Sequence, residues 1–526
     1  MAQGYTGIAR TQLGILKDNM RLGNLAQLSR TVELTDGTKI FVSSIHGQDT
    51  IRVETPAAIA AAGTTTTPAA TLGGGSYAYI AGAGVDPTTG LAHVFRAKIS
   101  VSGGGVLEML DIGVLSGGLP TYDGLIAMSA DGSVIVYADA GAVGPNIPSG
   151  PYGTAQAYNL YRWTAATGSA YLGTALGVWW GGRNATAFSM ASNGLAITYT
   201  GVVGGNWRQM YWSSVAGVQA ISPSPQTYTI VTQHYTQAYP AAQGISADGS
   251  TAIFYCQIPV TGGANWLPHI WTANTGAVAV GFLGNTNTPA FPGGWATLSA
   301  DGSTIFANSG TGTLYAPANT IIQWIGGTFT ITRVPFGDYF LVSSNGSVLV
   351  TAGNTIYRWT SAGTVAIDTS EFSTSLNMTA DGSAIAYSTA LVAANTVSCK
   401  LWTAQSGVTV LRTVSPYGGL FNSPLPDSFI SADGSVVAFT SDEPTARAWR
   451  QSKGVATELI GAAGYGAAAT GVGPDGAIVA GIANTANGLR VSGWASMQAA
   501  VTLLGGDPRG AYGFAAAMVV TKVIPG

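Results

Sequence analysis

Histidine, the most versatile catalytic and metal-binding side chain, occurs four times in this chain, at His46, His93, His234 and His269. None stands in an HxH, HExxH or Cys/His spacing that would place two ligands on one metal ion. His93 and His269 fall in runs that read as β-strands, where an imidazole more often serves as a satisfied core group. No G-x-S-x-G elbow is present, and the glycine-rich runs lack the following helix that a phosphate-cradling loop needs. The carboxylates that recur are Asp131, Asp248, Asp301, Asp381, Asp433 and Asp475. They are followed by Gly132, Gly249, Gly302, Gly382, Gly434 and Gly476. Their regularity invites a calcium or acid/base reading. Asn193 and Asn345 occupy the same position without a carboxylate, so turn chemistry is the expectation. Glycoside hydrolysis needs two convergent carboxyl groups. The remaining candidates, Asp338, Glu371, Asp427, Asp442 and Glu443, are not paired by anything in the sequence. The expectation is no catalytic residue, no metal and no cofactor.

The tryptophans carry more information. Of thirteen, eight recur at one place in a repeat: Trp163, Trp212, Trp271, Trp324, Trp359, Trp402, Trp449 and Trp494. Trp179, Trp180, Trp207, Trp266 and Trp295 lie outside that register. Trp207 and Trp266 share a context, GGNWRQMYW and GGANWLPHIW, which sets Asn206 and Asn265 beside an indole. Aromatic faces with neighbouring amides are what a sugar-binding surface uses, stacking on the pyranose while amides meet hydroxyls. The same residues would equally serve to fill gaps between structural units or to bury against another subunit. Both readings stand at this stage.

The elements that position these residues come from a repeat. MSADGSVIVYA from Met128 returns as ISADGSTAIFY, LSADGSTIFAN, MTADGSAIAYS and ISADGSVVAFT, with looser copies from Met190, Val342 and Val472. Each sets Asp-Gly or Asn-Gly between short apolar runs of period two. This predicts a β-hairpin whose two-residue turn takes its positive φ angles from that dipeptide. A strand carrying the recurrent tryptophan follows, then a glycine turn and a further apolar run, giving four strands in meander order. The tryptophan spacing averages about 47 residues, within the roughly 40–50-residue period of propeller blades. Residues 76–113 read as strands two to four of a unit with no hairpin before them, with Phe95 at the tryptophan position. AYGFAAAMVV from Ala511 reads as the missing first strand. The expected fold is therefore all-β: a single large β-propeller over residues 76–526, of about nine four-stranded blades, closed by its last strand. Eight blades is the alternative should the short unit near residues 345–369 be irregular.

Charged residues make up 9% of the chain, glycine numbers 73 and the net charge is −3. Without a Lys/Arg cluster, a nucleic-acid partner is not expected. Nor does any run approach the roughly 18 apolar residues of a membrane-spanning helix. The first twenty residues lack the basic and apolar regions of a signal peptide. Cys256 and Cys399 fall in different units and different strands, which argues against a mutual disulfide. Charge concentrates instead in residues 1–55, at Arg10, Lys17, Asp18, Arg21, Arg30, Glu33, Asp36, Lys39, Asp49, Arg52 and Glu54. There Leu13, Leu16, Met20, Leu25 and Leu28 suggest a short amphipathic helix, and VELTDGTKIFVSS a hairpin. Residues 56–75, rich in Thr, Ala and Gly, read as a linker. A segment as small as 1–55 cannot bury a core alone, so the expectation is an anchor that docks on a partner.

The phrases SADGS at Ser129, Ser246, Ser299 and Ser431, with YRWT at Tyr161 and Tyr357, resemble the bacterial extracellular HAF-type repeats. The resemblance covers most of residues 76–505 and implies a surface-displayed propeller without known chemistry. Together these observations set the expectation of a non-enzymatic phage virion protein, a tail, fibre or capsid-decorating subunit in a homo-oligomeric assembly. Residues 1–55 would dock to other virion proteins and the propeller would meet host surface glycan. A bacterial extracellular or cell-surface adhesin or matrix propeller is the alternative. A propeller-type carbohydrate-active enzyme is the second alternative.

Overall fold

The computed structural model describes the strands and tight turns named below, within residues 27–54 and 77–520. The chain divides into two compact units, residues 1–73 and 74–526. In the first, strands Gln27–Glu33, Lys39–Ile45 and Gln48–Glu54 form an antiparallel meander. The expected hairpin is present and gains a third strand. Leu28, expected in a helix, instead pairs with Ser44. A ladder that takes in all seven residues from Gln27 to Glu33 overrides a helical spacing of leucines. The helix expected over Leu13, Leu16, Met20 and Leu25 and the linker 56–75 lie outside the described residues.

The second unit is all-β. Among its described residues, nine antiparallel sheets follow in chain order. The first contains Tyr77–Val85, Ala92–Ser100 and Val106–Leu115. The second contains Ile126–Met128, Val134–Asp139, Ala155–Thr164 and Gly168–Trp180, the last of which also pairs with Arg183–Asn184. The third runs from Phe188 to Ala220, the fourth from Thr229 to Ala279, the fifth from Trp295 to Arg333 and the sixth from Tyr339 to Thr369. The seventh spans Phe372 to Val414, the eighth Ser428 to Leu459 and the ninth Ala467 to Gly505. The sixth sheet, the short unit, has all four strands. Val519–Val520 pairs with Ile80 and Ala81 and supplies the first sheet's fourth strand. This is the β-propeller plan of meanders packed face to face, each burying its apolar surface on its neighbours.

Burial explains the recurrence of the apolar runs. Trp163 packs into a cluster with Ala81, Val94 and Ile135, joining the first and second sheets. Trp494 joins the eighth and ninth through Phe429, Val436 and Ala448. Ile478, Ala480 and Ala495 of the ninth sheet pack with Ile80, Phe95, Ala97 and Ile99 of the first.

Register corrects the tryptophan series. Trp163 stands opposite Ile135, and Trp212, Trp271, Trp359, Trp402 and Trp494 hold the same place opposite Ile197, Ala252, Leu349, Ile385 and Val479. In the fifth and eighth sheets that place goes to Ile322, opposite Ile305, and Gln451, opposite Val437. Trp324 and Trp449 lie two residues away. A shift of two keeps a side chain on the same face of its strand, so the apolar pattern survives it. In the first sheet, Arg96 donates to the Gly132 carbonyl as Arg162 donates to that of Gly194. Ala97, and not Phe95, therefore takes the position of Trp163.

The turn differs from the sequence expectation. Ser129 N–H donates to the Val134 carbonyl, and Gly132 N–H to that of Ser129, so four residues rather than two make the loop. Within it positive φ falls on the glycine alone, as at Gly132, Gly194, Gly249, Gly302, Gly346, Gly382, Gly434 and Gly476. A second constraint falls on the same residue. A Cβ at Gly382 would stand 2.6 Å from Val348 Cβ of the preceding sheet, and one at Gly194 would stand 2.7 Å from Val134 Cβ. The turn glycine is thus also the seat on which one sheet's turn rests against the previous sheet.

This double role predicts unequal costs for alanine. Gly407 also has positive φ but open space around it. Gly407→Ala should cost about 1 kcal/mol from backbone strain. Gly382→Ala should cost about 3 kcal/mol because overpacking is added. Urea unfolding of the two variants measures the difference, and equal midpoints would refute the seat.

Candidate functional site

The recurrent aspartates were the first candidates for chemistry, and their oxygens are engaged locally. Asp131 Oδ1 accepts from Ser129 Oγ at 2.6 Å, Ser133 N at 3.0 Å and Ser133 Oγ at 2.8 Å. Ser129 Oγ in turn accepts from Val134 N at 2.9 Å. The same arrangement recurs at Asp248, Asp301 and Asp433, and with Thr379 in the serine's place at Asp381. Asp475 accepts from Ala477 N. Asn345 reproduces the whole pattern with an amide oxygen, accepting from Ser343 Oγ, Ser347 N and Ser347 Oγ. A neutral acceptor suffices, which is the behaviour of a turn and not of a catalytic acid. Burial alone would raise the pKa of Asp131, Asp248, Asp381 and Asp433, but the hydroxyl and N–H donors outweigh it and hold each below the ordinary value of 3.8.

Several polar side chains outside these turns tie sheet to sheet. Arg96 donates to the Gly132 carbonyl at 2.9 Å, Arg162 to that of Gly194 at 3.3 Å, Arg358 to that of Gly382 at 3.4 Å and Arg450 to that of Gly476 at 2.6 Å. The guanidinium of Arg96 lies 5.1 Å from the Trp163 ring, that of Arg162 4.9 Å from Trp212 and that of Arg358 5.3 Å from Trp402. These three arginines thus clamp the next sheet's turn and also cover its indole, a cation–π contact. Tyr199 donates to the Leu172 carbonyl at 3.0 Å, and burial pushes its phenol up to about 12. Tyr387 donates to Asp368 Oδ2, which also pairs with Lys400 at 2.7 Å. Burial and the Asp368 charge drive that phenol well above its usual range. The Arg-Trp pair in both YRWT phrases was the available signal for the clamps at Arg162 and Arg358. The tyrosine contacts left none.

His93 Nδ1 lies 2.9 Å from Asp111 Oδ2, and the His269 ring stacks on Phe254 with centroids 5.7 Å apart. Cys399 is buried, its Sγ 3.4 Å from Ser388 Oγ. Among the described residues no group of three His, Cys, Asp or Glu is placed to hold a metal ion. Nor is any helix among them long and apolar enough to cross a membrane. Asp442 ends a strand of the eighth sheet. Asp338, Glu371, Asp427 and Glu443 fall outside the described residues.

The off-register tryptophans are placed differently. In the second to ninth sheets the Asp-Gly or Asn-Gly loop joins the first strand to the second, and antiparallel order puts the third-to-fourth connection on the same rim. The second-to-third connection and the passage to the next sheet share the other. Trp207 is the second residue of the third strand in the third sheet, opposite Val202. Trp266 lies near the start of the third strand of the fourth sheet, opposite Gln257. Trp179 and Trp180 end the fourth strand of the second sheet, and Trp295 begins the first strand of the fifth. Register therefore puts all five on the rim away from the Asp-Gly turns, on four consecutive sheets, together with Asn206 and Asn265. The six in-register tryptophans stand at the opposite ends of their strands.

Fold and site together define a β-propeller-type repeat protein whose off-register tryptophans share one rim. No family model and no curated protein matches the chain. Among solved structures it is similar to a eukaryotic initiation factor, at 10% identity over 81% of this chain and 94% of that one, TM-score 0.45. It is also similar to TolB from Acinetobacter baumannii, at 13% identity over 76% of this chain and 82% of that one, TM-score 0.29. Apo AztD from Citrobacter koseri matches at 8% identity over 73% and 94%, TM-score 0.40. Likeness of this degree does not bear on function.

The shifted groups set a pH profile for stability. The depressed aspartates stabilise the fold above their unfolded pKa, and that contribution disappears as pH falls through their lower folded values. The raised tyrosines stabilise it below their unfolded value of 10.0, and the contribution is lost as pH climbs toward 12 for Tyr199. The denaturation midpoint should be flat between about pH 5 and 9 and should fall on both sides. Asp131→Asn should soften the acid limb while changing stability at pH 7 by about 1 kcal/mol or less. A loss of several kcal/mol at neutral pH would contradict the turn assignment.

Proposed function

We propose that this chain is a non-enzymatic display and adhesion protein whose nine sheets close into a nine-bladed propeller and whose tryptophan rim binds surface glycan. The observation that carries this reading is the gathering of Trp179, Trp180, Trp207, Trp266 and Trp295 on one rim of four consecutive sheets. Closure of the ring is supported by the apolar cluster shared between the first and ninth sheets and by the pairing of Ile80 with Val520.

The particle we propose is a phage virion, with residues 1–55 docking to it as part of a homo-oligomeric assembly and the propeller turned toward the host. What supports this is the resemblance of the repeats to exterior-displayed proteins, together with a charged N-terminal unit distinct from residues 74–526. The catalytic alternative would need a pair among Asp338, Glu371, Asp427, Asp442 and Glu443; the recurrent carboxylates offer it nothing, since they are consumed in their own turns.

Two measurements test the proposal. Trp207→Ala and Trp266→Ala should each weaken retention on host surface polysaccharide about tenfold, on the order of 1.4 kcal/mol, with unchanged thermal midpoints. Mass spectrometry of purified virions should detect the chain. Its absence from them would end the virion reading whatever the glycan result.

A further inference from the structure

We infer that the gap between the third and fourth sheets, beneath the Asn206-Trp207 hairpin, is a saccharide subsite in which Thr200 and Gln209 receive a ligand hydroxyl. This rests on the glycan reading above and narrows it to one place. Thr200 pairs with Gln209 and Thr198 with Tyr211 on neighbouring strands of the third sheet, and the two-residue alternation puts all four on one face. Tyr211 lies against Trp271 of the fourth sheet, ring centroids 4.5 Å apart, so this face looks toward the fourth sheet.

Thr200 is 0% and Gln209 1% exposed. Even so, neither Thr200 Oγ1 nor Gln209 Oε1 has a hydrogen-bond partner. A buried polar atom left unmatched destabilises a fold, and two facing each other across one strand pair call for a shared partner. Thr200 Oγ1 both donates and accepts, and Gln209 Oε1 accepts. A hydroxyl that donates to the amide oxygen and exchanges a hydrogen bond with the threonine satisfies both. The next pair along the same face toward the rim is Val202 and Trp207, and Asn206 adjoins it. The neighbouring sheet carries Asn265 and Trp266 at the equivalent hairpin. Alternation puts Asn265 on the Trp271 face of the fourth sheet, toward the third, and Trp266 on the opposite face. Trp207 and Asn265 therefore stand at the rim end of this one gap, whose floor holds unmatched polar groups, a combination suited to a sugar with an apolar face and several hydroxyls.

The test uses the full-length chain on a panel of immobilised neutral hexoses, hexuronic acids and N-acetylhexosamines. The double variant Thr200→Val/Gln209→Met should melt at or above the wild-type temperature, because unmatched polar atoms are removed, and should lose saccharide retention at least tenfold. Thr200→Ser, which keeps the hydroxyl, should retain binding even if the double variant folds poorly. Should Trp207→Ala weaken retention while the double variant binds as wild type, the pair holds only a buried water and the subsite is wrong while the glycan reading stands. Equal losses from Thr200→Ser and Thr200→Val would also overturn the subsite. A wild-type chain retained by no saccharide would overturn both.

Discussion

The constraint on which the second unit depends is the close approach of each Asp-Gly turn to the sheet before it. Glycine is required there twice, for its left-handed backbone and for the missing Cβ that lets the turn rest on Val134, Ala196, Val348 or Val436. Backbone bonds run from turn to turn, from Ala130 to Ser192, Ala247 to Ala300, Ser344 to Ala380 and Ala432 to Pro474. These bonds would be lost if the turns were held even slightly apart. Arginine clamps from Arg96, Arg162, Arg358 and Arg450 close on the glycine carbonyls from the side. The sheets are thus held in step by one short phrase.

The same constraint accounts for composition. Most soluble proteins keep their surfaces polar with charge, whereas this one has 9% charged residues and fills its turns with serine, threonine and glycine. The turn hydroxyls are engaged: Ser129 both donates to Asp131 and accepts from Val134 N–H, and Ser246, Ser299 and Ser431 do likewise. Pro474 stands in the last of these turns, at the position whose N–H in Ala130, Ala247 and Ala432 donates to the following turn.

Much of this is legible in the residues alone. Strand period, turn dipeptide and tryptophan spacing point to the meander, and the orphan strands at 76–113 and after Ala511 point to the pairing of Ile80 with Val520. The four-residue loop is not legible, since Asp-Gly is compatible with either length and the choice is made by Ser129 and Ser133 bonding to one carboxylate oxygen. Phe95, Trp324 and Trp449 depart from the repeat position for a related reason: aromatic character marks a face of the strand, whereas register depends on backbone pairing. Leu28 failed where a helical spacing met a better ladder. On the site, the unusual tryptophans are visible in the sequence but their common rim is not, because that depends on which strand end each residue occupies. Thr200 and Gln209 carry no local signal, being ordinary residues of a strand pair.

The two rims are under different physical demands. At the turn rim the side chains are committed: the aspartate to its serines, the arginine to a carbonyl and an indole, and the glycine to its seat. A substitution there is felt by the adjacent sheet, so the phrase stays nearly constant from Asp131 to Asp475. At the far rim the strands differ in reach from sheet to sheet, the hairpin closing ten residues after Asn193 in the third, at Val203 and Asn206, and twelve after Asp248 in the fourth, at Val260 and Gly263. A scaffold fixed at one rim can vary the other without loss of fold, which is the usual division between structural elements and the loops that carry function. Tryptophan at that variable rim costs the scaffold nothing it depends on, and its position at the ends of strands gives it a rigid base. The repeat therefore explains why the turn aspartates are structural, and it leaves the recognition proposed above to residues that break the repeat.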